Sequence, residues 1–124
     1  MRVWDWLVAR MRKLAREHVE VTDDKVVRHL ASGRCEVLHW HALRRVEVRT
    51  TARGPWGEDF FFILYGENNA RCVVPNSQSG RLFDKLQGLP NFDFQTFIRA
   101  TASSGHARFL CWENKTAAPR AVVL

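Results

Sequence analysis

The side chains that could do chemistry are few and scattered. Three cysteines, Cys35, Cys72 and Cys111, and five histidines supply all the thiols and imidazoles of the 124-residue chain. No two cysteines form a CxxC-type pair, so neither a zinc knuckle nor a dithiol redox centre is expected. Each lies in an apolar run, where a thiol is either a small buried hydrophobe or a nucleophile. Cys35 or Cys111 could be paired with any of the histidines as nucleophile and base, and no pairing stands out. His39-Trp40-His41 would set two imidazoles on one side of a strand that continued through His41, the beginning of a metal site. A third ligand is not identifiable, so the expectation is no metal and no cofactor.

The most unusual local stretch runs from Thr50 to Asp59. Gly54-Pro55 and Gly57 exclude a regular strand there, and Arg53, Trp56, Glu58 and Asp59 bring a cation, an indole and two carboxylates into one short connection. Loops of this make-up are where binding residues gather. Trp56 could instead cover the core while Asp59 bonds backbone amides to fix the turn. Glu58 and Asp59 are adjacent and would face opposite sides of a strand, which is poor geometry for a general acid/base pair. Gly54-Pro55-Trp56-Gly57 is not followed by Lys-Ser/Thr or a helix, so it is no phosphate loop, and no serine sits in a nucleophile elbow. Catalysis is therefore not expected.

The elements that must position these residues follow from periodicity. Trp4, Leu7, Val8, Met11, Leu14 and Ala15 are spaced as on one face of a helix, with Arg10, Arg12, Lys13 and Arg16 opposite. Such a helix over 1–17 could dock on its own sheet, bind a partner, or lie on an anionic membrane through Trp4, Trp6, Leu7, Arg10, Arg12 and Lys13. From His18 the period changes to two. Strands at His18–Thr22, Lys25–Leu30 and Arg34–Trp40, separated by Asp23-Asp24 and Ala31-Ser32-Gly33, make a meander. Val46 and Val48 then alternate with Arg45, Glu47 and Arg49, giving one buried and one wet face. Phe60 to Tyr65 is apolar on both faces, as in a central strand, and Arg71 to Val74 returns beside it. Ser77 or Ser79 can cap a helix through Leu82, Phe83 and Leu86, and Asp93 can cap a second through Phe94, Phe97 and Ile98. Ala107 to Trp112 is a last strand, and the tail 113–124 is expected to be mobile. Strands that run together without intervening helices make the class α+β. One domain over 18–112, built on a bent antiparallel sheet or partial barrel, is the expected architecture.

Composition narrows the partner. The chain carries 19 Lys+Arg against 13 Asp+Glu, a formal charge of +6. These charges are distributed along the whole sequence, whereas nucleic-acid binders concentrate them with interleaved aromatics, so nucleic acid is not expected. The odd cysteine count argues against a secreted disulfide framework, and no apolar run is long enough to cross a membrane, which leaves a cytoplasmic location.

A set of spaced residues carries a resemblance. Trp40, Val46-Glu47-Val48-Arg49-Thr50-Thr51, Gly54-Pro55, Asp59 with its aromatic run, Cys72-Val73-Val74-Pro75, Leu89-Pro90, Phe92-Asp93, Ile98, Ala100 and Phe109-Leu110-Cys111-Trp112 resemble a family of small uncharacterised bacterial proteins. The order of strands and the helix after Pro75 are also similar to pleckstrin-homology-like domains. In those domains a basic first hairpin loop reads lipid headgroups; the corresponding turn here is Asp23-Asp24. The expected function is a non-catalytic interaction or adaptor module that binds another protein through the Thr50 to Asp59 loop. Peripheral attachment to anionic membrane through the N-terminal helix is the alternative.

Overall fold

Alternation and turn chemistry resolve into seven strands and two α-helices in the structure, a computed structural model that describes residues 18–51, 60–103 and 105–114. The helix expected over 1–17, the loop residues 52–59 and the tail beyond 114 lie outside the described residues. Strands β1 (His18–Val21), β2 (Lys25–His29) and β3 (Cys35–His39) form one antiparallel sheet in the order β1-β2-β3. Strands β4 (Leu43–Thr50), β5 (Phe60–Gly66), β6 (Arg71–Pro75) and β7 (Ala107–Glu113) form a second, in the order β6-β5-β4-β7. Helices α1 (Gly80–Gln87) and α2 (Phe94–Thr101) fall between β6 and β7. The class is α+β.

The expected single bent sheet is thus two sheets, and among the described residues no closed barrel forms. The reason lies at the seam. β3 runs beside β6, but Val73 N donates to the Glu36 carboxylate at 3.0 Å rather than to a strand carbonyl. Glu36 also takes the Arg28 guanidinium at 3.4 Å. A side chain occupies the place a ladder would need, so the strands meet without pairing.

Inside the four-stranded sheet, register lines up apolar side chains in rows. Val74, Phe62, Val48 and Phe109 form one row, and Cys72, Leu64, Val46 and Trp112 the next. Val26 and Leu38, paired across β2 and β3, join the same core, as do Leu82 and Leu86 of α1 and Ala100 of α2. Phe97 links helix to sheet: its ring stacks on Phe62 at 5.7 Å and lies 4.9 Å from Phe83. Such aromatic pairs contribute roughly 0.5–1.5 kcal/mol each beyond the area they bury.

Caps and turns fix the ends. Asp93 caps α2 as expected, accepting from Thr96 N at 2.9 Å and Thr96 Oγ1 at 2.7 Å. Ser79 occupies the N-cap position of α1, yet its hydroxyl donates backwards to the Asn76 carbonyl at 2.7 Å instead of accepting from the helix. The turn between β5 and β6 passes through Asn68 and Asn69 at positive φ, a conformation asparagine tolerates. Gly66, just before it, is pressed against the other sheet: a Cβ there would collide with the Leu38 side chain.

Candidate interaction surface

Each sheet has one face in the core, so the chemistry lies on the outer faces. In the four-stranded sheet, residues two apart along each strand share that face. Arg71, Tyr65, Arg45 and Glu113 form one outer row; Val73, Ile63, Glu47 and Leu110 the second; Pro75, Phe61, Arg49 and Arg108 the third. Four arginines therefore face two carboxylates, and they do so among aromatic and aliphatic side chains.

Glu47 organises the centre. The sequence reading put it on a wet face, but it is only 7% exposed. Its carboxylate accepts from Arg108 Nε at 3.3 Å and lies 3.6 Å from Arg45 Nε. The Arg45 and Arg108 heads lie on Glu47, and Ile63, its neighbour in the same row, is buried too. Arg45 also lies over the Tyr65 ring, its guanidinium carbon 4.3 Å from the centroid. The Glu47 hydrogen bond and charge, reinforced by Tyr65, hold Arg108 protonated even more firmly than usual. The Nε atoms of Arg45 and Arg49 are both buried with no hydrogen-bond partner among the described residues. Leu110 stands in the middle row and is 47% exposed.

Of the residues singled out by sequence, Arg53, Trp56, Glu58 and Asp59 lie outside the described residues, as do Trp4, Trp6, Leu7, Arg10, Arg12 and Lys13. The loop does spring from the ends of β4 and β5, the two central strands, and Thr50 fastens its base by donating to the Gly105 carbonyl at 2.6 Å. The histidine pair behaves differently from the extended reading. The strand ends at His39 and Trp40–Ala42 turns as a 3-10 helix, yet the His39 and His41 rings still stack with centroids 5.5 Å apart. Trp40 anchors that turn by donating its indole N–H to the Thr22 carbonyl at 2.9 Å.

No family model, curated protein or solved structure matches the chain. Its surface has to be understood from its own geometry.

The thiols separate by environment. Burial pushes Cys72 up to about 12, with the nearby Glu36 charge adding to it, and pushes Cys111 up to about 11, with Asp93 adding. Both remain protonated at neutral pH and are weak nucleophiles. Cys35 is exposed, with Sγ 3.4 Å from His29 Nδ1. Between the β1–β2 turn and α1 there is a shallow groove lined by Val21, Thr22, Asp23, Arg81, Asp84 and Lys85. Lys85 Nζ and Asp23 pair at 2.6 Å in it, which holds the Asp23 carboxyl below its ordinary range. No helix among the described residues is long and apolar enough to cross a membrane.

The outer face as an assembly was not visible in the sequence. Arg45, Glu47 and Arg49 could be assigned to one side of β4, but Arg108 and Leu110 join them only because β7 returns to pair with β4. Alternation within each strand was the available signal; the strand order was not.

Proposed function

We propose that this protein is a non-catalytic interaction module that binds an acidic segment of another protein across the outer face of the β6-β5-β4-β7 sheet. The observation that carries the reading is the setting of Arg45, Arg49 and Arg108 beside the exposed Leu110, with Arg71 on the far edge strand of the same face. Arginine offers a planar fork that matches carboxylates, and protein interfaces are enriched in arginine and aromatic side chains. Nucleic acid fits less well. Glu47 places a carboxylate at the centre of the face, and the Tyr65 ring is already covered by Arg45, which removes a platform for a base. The raised Cys72 and Cys111 thiols take those two cysteines out of nucleophilic chemistry. A cytoplasmic location belongs to the same proposal and suits three free thiols. So does kinship with pleckstrin-homology-like domains: two antiparallel sheets sharing one core support it, while the placing of both helices before β7 departs from that plan.

The test is fluorescence anisotropy of a labelled peptide of alternating glutamate and leucine, with single-stranded DNA and anionic vesicles as competing probes. Binding should weaken as salt rises and fall sharply in the Arg49→Ser/Arg108→Ser double variant. Preferential binding of DNA would sink the protein-partner reading. Salt-sensitive pelleting with vesicles that disappears when residues 1–17 are removed would replace it with membrane attachment.

A further inference from the structure

On the outer face of the three-stranded sheet, register brings together side chains that are far from adjacent in sequence. His18 on β1, His29 on β2 and Cys35 on β3 form one cross-strand row. Glu20 sits two residues along β1, on the same face. Its Oε1 lies 3.4 Å from His18 Nε2 and 3.1 Å from His29 Nε2. One atom from each of the three side chains can be chosen so that all lie within 4.8 Å of one another.

The geometry points to a divalent transition-metal site of the zinc class, with His18 Nε2, His29 Nε2 and a Glu20 carboxylate oxygen as ligands. Zinc takes imidazole nitrogen at about 2.0–2.1 Å and carboxylate oxygen at a similar distance, which separates neighbouring tetrahedral ligands by about 3.3 Å. The two Glu20 to imidazole distances bracket that value. His29 Nε2 is buried and makes no hydrogen bond of acceptable geometry, despite the carboxylate beside it. On its other side, Cys35 Sγ lies 3.4 Å from His29 Nδ1. A ligating histidine needs such a partner for its second nitrogen, which then carries the proton and leaves Nε2 free for the cation. The two rings stack with centroids 4.4 Å apart and planes 18° from parallel. Binding needs the rings to splay about χ2 so that both lone pairs converge with the Glu20 carboxylate on one ion. Three protein ligands leave a fourth position for water or a donor from a partner. The same bonds would staple edge strand β1 to β2.

Calorimetric titration of the full chain with zinc chloride tests the site. One zinc should bind per chain and raise the melting temperature. His18→Ala or His29→Ala should each cut affinity by at least about a hundredfold, and Cys35→Ala should weaken it by about tenfold. Glu20→Gln, at an exposed position, gives a ligand variant with little risk to folding and should also weaken binding. His39→Ala should leave it unchanged. Circular dichroism verifies that each variant is folded. The assignment is overturned if the folded wild type binds no zinc, if binding survives intact in both His18→Ala and His29→Ala, or if His39→Ala abolishes it.

Discussion

The two outer faces are built on the same alternation and end in different chemistry. In the four-stranded sheet, Arg45 and Arg108 close over the Glu47 carboxylate, and Ile63 beside it is buried. In the three-stranded sheet, short imidazole and thiol side chains stand beside Val27, which is 7% exposed, and Val37, which is 40% exposed. Side-chain length makes the difference. A long cation can shield its neighbours while its head stays wet, so the larger sheet acquires a thin second layer of its own. The smaller sheet acquires a cluster of donor atoms.

The strongest way to break this comparison is to truncate one aliphatic on each face. Ile63 is 4% exposed beside the Glu47–arginine cluster, and Ile63→Ala should cost about 3 kcal/mol in urea unfolding. Val37→Ala, on the other face, should cost less than about 0.5 kcal/mol. Equal losses would show that the arginine stems shield nothing. The seam between the sheets comes next. Gly66→Ala forces Leu38 aside and should destabilise by about 2 kcal/mol. An unchanged midpoint would mean that the sheets are not pressed together there.

A smaller effect separates the sides by pH. Hydrogen bonds from Thr96 N and Oγ1 hold the Asp93 carboxyl below its ordinary range. Its stabilising share is therefore fully present above the unfolded value of about 3.9 and is lost as pH falls through the lower native value. Asp93→Ala should lower the melting temperature at neutral pH, and that difference should shrink in acid. A constant difference would reassign the residue to plain packing. Glu47→Leu should change stability little and binding more. With both guanidinium heads able to turn to water, stability should move by less than about 1 kcal/mol, while the acidic peptide should bind more tightly. Weaker binding would show that Glu47 presents the arginines rather than masking them.

Much of the fold was legible in the sequence because its signals are local. Asp23-Asp24 and Gly33 mark turns, Val46 and Val48 alternate cleanly, and Asp93 caps its helix. The His18/His29 pairing is implied by the same signals, since centring the hairpin on Asp23-Asp24 makes these two face each other. His39 and His41 are closer in sequence but lack a third ligand among the described residues. The division into two sheets was not legible. It depends on a Glu36 side chain meeting a Val73 amide, and on β7 choosing β4, and neither long-range choice leaves a mark on local periodicity. The Thr50 to Asp59 loop stands out for its composition, and its role rests on binding measurements.

The Glu36 contact has a counterpart on the other sheet. Val19 N, on the outermost strand β1, donates to Gln78 Oε1 at 2.8 Å, just as Val73 N on the outermost strand β6 donates to Glu36. At these two of the four sheet edges a side-chain oxygen has taken a backbone donor that an incoming chain would use to extend the sheet. Strand addition at either border would first have to displace that oxygen, which opposes self-association into longer sheets and directs partners toward the faces. Replacing Gln78 and Glu36 with alanine should therefore appear first as a loss of solubility on heating, ahead of any change in what the protein binds.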